Sequence, residues 1–580
     1  MAEKFAVWAP RPSRVELLVS GERLAMDADE DGWWRRSADA PTGTSYAFCL
    51  DGGDPRPDPR GLRLPDGPQG RSEVYLPGGF TWTDAGWAGV PLEGAVIYET
   101  HVGTFTTEGT LDAAIGRLDH LVDLGVTLVE LMPLAPFPGC NGWGYDGVAP
   151  YAVHEPYGGP VALQRFVDAA HARGLGVCLD VVYNHLGPDG NYLQEFGPYL
   201  TERYRTPWGP ALNLDGPDCE PVRRWVLDNV RQWLDDFHID ALRLDAVHEL
   251  HDQRPVHILE EMSAEVDALA TRENRMLWLI AESDRNDPGT VSTRGKAGGL
   301  GIHAQWADDV HHALHVALTG ETDGYYSDFA SPGALAKVLG TPFFHDGTWS
   351  SFRERPHGRP VDPALVSGWR FVASLQTHDQ VGNRAMGDRL SMNVSPGLLA
   401  CGAALLLTSP WTPMLFMGEE WGARTPWQYF TDHTDPDLAE GVRQGRRAEF
   451  AGHGWDRSDV PDPQAPQTVE TSRLDWSEPT REPHLRLLGW YRDLIALRRA
   501  RPDLGDARLG RDRVRHDHDA GTVLVARGRH RVAVNLSAQT RTVVLDMVAT
   551  VLMAWDVEAP VAPDGKLTLP PHSAAVLGPG

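Results

Sequence analysis

The chain has 580 residues, too many for one hydrophobic core, so roughly two to four domains are expected. Hydrophobic residues make up 42% and charged residues 23%, the balance of a folded globular protein rather than a disordered one. A net charge of −27 argues against nucleic acid as a partner, whereas a neutral ligand such as a sugar tolerates that field.

The opening "MAEKFAVWAP" lacks a basic segment followed by an apolar run, so no signal peptide is expected and the protein reads as cytoplasmic. Residues 1–92 carry short apolar runs ("FAVWAP", "RVELLV", "GWWRRS", "TSYAFCL") punctuated by turn residues, the pattern of a β-sandwich. From 93 to 505 the pattern changes to buried strands alternating with helical periodicity. Eight strand candidates stand at 96–105, 125–134, 174–185, 239–247, 276–284, 301–309, 371–379 and 412–422. Helical spacing separates several, as in 110–124 and 221–237. Eight such units predict a (β/α)8 TIM barrel. A doubly wound sheet is the alternative, but no GxGxxG or Walker loop follows any strand. The insertion near 184–220, rich in Gly, Pro and Tyr, predicts a small lid over the barrel mouth.

The apolar stretch 398–418 is broken by Thr408, Ser409, Pro410 and Pro413, and reads as a core helix, a turn and a buried strand, not a membrane span. Residues 506–580 return to short runs ("TVLVARG", "RVAVNLS", "RTVVLDM", "ATVLMAW"), a second β-sandwich. The predicted architecture is thus α/β, a TIM barrel flanked by N-terminal and C-terminal β-sandwiches. Five scattered cysteines without a CxxC pair suit a reducing compartment and predict neither a disulfide nor a zinc framework.

In "IDALRLDAV" (239–247), Arg243 and Asp245 share one face of a strand that is otherwise apolar. Buried charges are costly unless paired or at work, so the pair is either a structural ion pair or part of a site. Other strand ends favour the site. The third closes on Asp180, Asn184 and His185, the fifth on Glu282, the seventh on His378 and Asp379. Polar groups at the C-terminal ends of barrel strands mark the catalytic face, and paired carboxyls are what glycoside hydrolysis requires.

"DVVYNH", "LRLDAVHEL", "AESD" and "THDQ" resemble, in order, the four conserved regions of the α-amylase superfamily of glycoside hydrolases. Three further stretches, 142–160, 378–390 and 417–450, resemble the branch that cleaves the α-1,4 bond beside a terminal trehalose. One departure is Thr377, which stands where the superfamily usually has Asn. The resemblance implies catalytic roles for Asp245 (nucleophile), Glu282 (acid, then base) and Asp379 (transition-state stabiliser). It implies that Arg243 tunes Asp245, that Asp180 orients Arg243, and that His185, His378 and Tyr145 bind the sugar. Asp245 and Glu282 would then lie about 5–5.5 Å apart, the retaining geometry. The implied partner is a maltooligosaccharide carrying terminal trehalose, with no nucleic acid and no membrane. The alternative is an α-glucan branching enzyme, which would share these residues; a catalytically dead scaffold is disfavoured because all three carboxyls are present.

Some amylases hold calcium near the residue matching Asn184. No added carboxylate cluster follows it here, so neither a metal nor a cofactor is expected. His311, His312 and His315 have helical spacing but no HExxH glutamate, which favours a solvated or capping role over zinc. Of the aromatics Tyr325, Tyr326, Phe343, Phe344 and Trp349, Phe343 and Phe344 are candidates for trehalose recognition, together with Gly418–Trp421; core packing is the competing reading. Trp87, Trp490 and Trp555 read as core.

Overall fold

A computed structural model describes residues 2–295, 298–451, 460–558 and 561–579. Eight parallel strands close into a barrel: β1 (Ile97–Thr100), β2 (Leu128–Leu131), β3 (Gly176–Val181), β4 (Ala241–Leu244), β5 (Trp278–Ala281), β6 (Ala304–Trp306), β7 (Phe371–Ser374) and β8 (Thr412–Phe416). They follow chain order round the ring, and β8 pairs back to β1. Closure excludes the doubly wound sheet. Each strand is one of the eight predicted runs, trimmed where the chain turns into a loop.

Alternation along the strands sorts the barrel interior into layers. At the N-terminal end Ile97, Leu128, Cys178, Ala241, Ile280, Ala304, Val372 and Met414 form one buried apolar cluster. Two residues further on, the same faces carry Glu99, Glu130, Asp180, Arg243, Glu282 and Trp306. The barrel is therefore sealed by hydrocarbon at one end and charged at the other.

The apolar end is closed by the segment that enters from the N-terminal strands. Val90 and Leu92 pack into it, and Trp87 Nε1 donates to buried Asp240 at 2.7 Å. Asp240 also meets His171 Nε2 at 2.9 Å and Arg275 Nη2 at 3.1 Å, while His171 Nδ1 contacts Asp84 at 2.8 Å. Trp87 stacks on His171 and belongs to this floor, as expected for a core residue.

Before the barrel, short strands between Ala2 and Glu73 form two sheets that share buried Phe5, Val7, Val15, Leu17 and Phe48. After it, a five-stranded and a two-stranded sheet pack through Leu524, Val543, Leu567, Leu569 and Leu577. The apolar stretch near 400 is a helix, Pro396–Leu407, followed by β8. Among the described residues no helix is long and apolar enough to cross a membrane. The predicted helix 221–237 is Cys219–Asp235, whereas 110–124 is broken at Gly116 into Leu111–Ile115 and Leu118–Leu124.

Within 184–220 the chain forms a hairpin, Leu200–Thr206 against Gly209–Leu212. Trp208 sits at its turn, 51% exposed, and stacks on His185 with ring centroids 4.7 Å apart.

Candidate active site

The charged end of the barrel opens into a cleft of about 420 Å³, lined among others by Tyr145, His185, Trp208, Asp245, Glu282, His378 and Asp379. Arg243, fully buried, organises its floor. Its Nη1 donates to both oxygens of Asp180 (3.0 and 2.9 Å) and to Asp245 Oδ1 (2.7 Å). Its Nη2 lies 2.8 Å from Glu282 Oε2. A planar fork can hold three carboxyls at fixed angles in a way that a single ammonium cannot.

Asn184 fixes the other side of Asp245, donating from Nδ2 to the carboxyl Oδ2 (2.7 Å) and to the backbone carbonyl (2.9 Å). His185 Nδ1 meets Asn184 Oδ1, and its Nε2 donates to the Tyr145 carbonyl at 3.0 Å. The Tyr145 hydroxyl donates to Asp180 Oδ2 at 2.6 Å and lies 2.9 Å from His378 Nε2. The N–H of Ala246 donates to Glu282 Oε2 at 2.8 Å. To reach it, Ala246 takes a left-handed backbone with φ of 38°, an uncommon conformation for a residue with a Cβ.

These contacts push the two facing carboxyls apart in acidity. Burial alone would raise Asp245, but the Arg243 charge, the Asn184 bond and His185 hold it below the usual carboxylate range. Glu282 is pushed up to about 8 by burial, with Asp245 and Asp379 adding to it against the pull of Arg243. At neutral pH one carboxyl is ionised and its neighbour is protonated. That is the division of labour an acid and a nucleophile need.

Thr377 explains how this chain manages without the usual Asn. Its hydroxyl accepts the N–H of Asp379 at 3.2 Å, and Gln380 Oε1 accepts the N–H of Thr377 at 2.8 Å. The result is a capping box on the short helix His378–Gly382, which presents both His378 and Asp379 to the cleft.

Asp245, Glu282, Asp379, Asp180, Arg243, His185, His378 and Tyr145 are thus brought together. Phe343 and Phe344 are not. Phe343 is 1% exposed and its ring packs on Phe371, the first residue of β7, in the layer between barrel and helices. Phe344 packs on Phe329 and His345 under Lys337 and does not line the cleft. Gly418–Trp421 does not line the cleft either. Glu420 is buried against Tyr98 and His120, and Trp421 donates to Glu478, so this turn ties β8 to the outer shell. Nor is His311 solvated or capping: it is buried, with Nδ1 2.7 Å from the Leu375 carbonyl.

The geometry has counterparts among known proteins. The family described as "Alpha amylase, catalytic domain" matches residues 63–208, and a domain of unknown function (DUF3459) matches 507–576. A malto-oligosyltrehalose trehalohydrolase of Arthrobacter ramosus is 57% identical over 92% of this chain and 93% of its own. One from Rhizobium sp. (strain M-11) is 53% identical over 99% of this chain and 98% of its own. The chain belongs to the malto-oligosyltrehalose trehalohydrolase family. A crystal structure of a putative alpha amylase from Salmonella typhimurium superposes with a TM-score of 0.91 at 38% identity, covering 100% of this chain and 99% of that one.

For a trehalohydrolase-family chain, three polar or aromatic cleft residues stand out among those the sequence did not reveal. Trp208 lay inside the predicted lid without being singled out. Asp308, at the head of the helix after β6, lines the cleft and is pushed to about 6 by burial and neighbouring carboxylates. His248, three residues past Asp245, lines it too. The position of Asp308 just beyond a strand was the available signal.

Proposed function

We propose that this protein hydrolyses the α-1,4-glucosidic bond next to the terminal trehalose of maltooligosyltrehalose, releasing trehalose, with retention of configuration. Asp245 attacks the anomeric carbon while Glu282 gives its proton to the glycosidic oxygen, and trehalose leaves. The maltooligosaccharide is then an ester of Asp245. Glu282, now a carboxylate, takes a proton from water as that water attacks the same carbon, which frees the sugar and restores both carboxyls. Asp379 accepts hydroxyl hydrogen bonds from the distorted ring, and its charge favours the oxocarbenium-like transition state. His378 and His185 contact the same ring, and Tyr145 forms its platform.

The observation that carries this reading is one buried guanidinium within 2.8 Å of two cleft carboxyls, Asp245 (2.7 Å) and Glu282 (2.8 Å). Kinship with proteins named for trehalose release supplies the substrate class. Incubation with maltooligosyltrehalose should yield trehalose and a shortened maltooligosaccharide, and Asp245→Asn should abolish it. Branched glucan formed from plain maltooligosaccharide, without trehalose release from its trehalosyl counterpart, would instead establish a transferase.

A further inference from the structure

Beneath the cleft, β1 and β2 carry two buried acids that the reaction as written leaves idle, Glu99 and Glu130. Both oxygens of Glu99 are committed to one residue. Oε1 lies 2.5 Å from His378 Nδ1, and Oε2 accepts the His378 backbone N–H at 3.0 Å. On the far side of the ring, Nε2 is 2.9 Å from the Tyr145 hydroxyl and 3.4 Å from Asp379 Oδ1. Tyr145 has a single proton and gives it to Asp180 at 2.6 Å, so Nε2 must be the donor at its own contact with that hydroxyl. A nitrogen 2.5 Å from a carboxyl oxygen also needs a proton between them. With that shared proton on the ring side, both ring nitrogens carry hydrogen.

We propose that Glu99 is a positioning residue that holds His378 as an imidazolium, fixing the direction of the bonds from His378 through Tyr145 to Asp180 and keeping Asp180 ionised for Arg243. This rests on the glycosidase reading of the cleft. His378 faces Glu99 from β1, Glu130 from β2, Asp180 from β3 and Arg243 from β4, with Asp379 beside it and His101 behind. Burial would lower the His378 ring, but Asp379 and Glu99 push it up to about 10, so the charge persists through the neutral range. Glu130 is pushed up to about 8 by burial and by Glu99 and Asp180, so it stays protonated at neutral pH. Asp180, raised to about 6 by burial, is drawn down by Arg243, Tyr145 and His378, and losing the imidazolium must lift it.

The test separates charge from packing. In Glu99→Gln the side-chain carbonyl keeps the bond from the His378 N–H and the amide NH2 faces Nδ1, which leaves the ring neutral. The acid limb of kcat/KM should then move up by about half a pH unit or more, so that the loss is about threefold or more low on that limb and shrinks towards pH 8. Glu99→Asp keeps the charge on a stem one methylene shorter, so its limb should stay in the wild-type position even if the rate falls. Melting curves on both variants accompany the profiles. A Gln profile that superimposes on wild type overturns the inference. So does an Asp variant that shifts the limb as far as Gln, or a loss in Gln that tracks a lower Tm without a limb shift. Wild type is assayed alongside: no trehalose release there overturns the trehalohydrolase reading, whereas an active wild type with an unmoved Gln profile overturns only this inference.

Discussion

In the proposed reaction Glu282 holds a proton while Asp245, one strand away, holds none, and each oxygen's partners decide which is which. Asp245 is met by Arg243 on one oxygen and Asn184 on the other. On Glu282 the Ala246 N–H and the nearby Arg243 Nη2 both face Oε2, and among the described residues no donor is seen on Oε1. The alkaline limb of kcat/KM should therefore fall near pH 8, as Glu282 loses its proton, and Glu282→Gln should lose turnover on ordinary substrate but recover ester formation with an activated leaving group. Rescue by such a substrate, read from a burst of leaving group, checks the assignment. The same residue also costs stability. Its folded-state value lies above its unfolded one, so the folded protein binds the extra proton between about pH 4.5 and 8, and stability falls as pH rises through that window. Glu282→Gln should remove the slope, so that the variant's Tm advantage over wild type is larger at pH 8 than at pH 5. Arg243→Lys should be severe, about a hundredfold or more in kcat/KM, because one ammonium cannot span Asp180, Asp245 and Glu282.

At the scale of elements, the hairpin Leu200–Thr206/Gly209–Leu212 brings Trp208 over the cleft from outside the barrel. Its ring is half-exposed and rests on His185, so it can stack on sugar without supporting the core. Trp208→Ala should raise KM about tenfold, the worth of one aromatic face, with kcat little changed and Tm within a degree or so of wild type. Steady-state kinetics and a melting curve decide it; a large fall in Tm would make the tryptophan structural. The contrast with Phe343 shows what the sequence could and could not tell. Strands and their charged ends were legible because burial period and catalytic face are both local signals. Depth was not. Phe343 and Trp208 each follow a Thr-Pro pair, and only tertiary packing sends one ring between barrel and helix and the other to the mouth. Glu99 was likewise hidden, since a charge within "VIYETHV" reads as a strand residue until His378 is seen across from it.

The whole molecule is arranged so that its two ends do different work. The N-terminal strands feed a plug into the apolar floor, where Asp240 collects Trp87, His171, Arg275 and the Val177 N–H. The C-terminal sheets lean on outer helices, with Cys401 Sγ 3.3 Å from the Ser573 carbonyl and Trp490 against Trp555. Asp240→Asn should cost about 3 kcal/mol or more, by leaving the Arg275 guanidinium without its buried counter-charge. The denaturation midpoint should fall while both limbs of the kcat/KM profile stay in place. Burial would raise Asp240 and Asp84, but their histidine contacts hold both below the ordinary carboxylate range. Their contribution is therefore complete above that range and is lost as pH falls through the depressed values, a loss that should be smaller in the Asn variant.

The left-handed turn at Ala246 has a stereochemical consequence. The peptide plane between residues 245 and 246 is gripped on both edges, its carbonyl by Asn184 and its N–H by Glu282. Whether a water fits between two carboxyls decides if a glycosidase keeps or inverts the anomer. Here the gap is gauged by a single amide, with the backbone of Asp245 serving as the spacer that sets how near Glu282 can come. The anomer released thus depends on a main-chain spacing as well as on the ester that Asp245 is proposed to form.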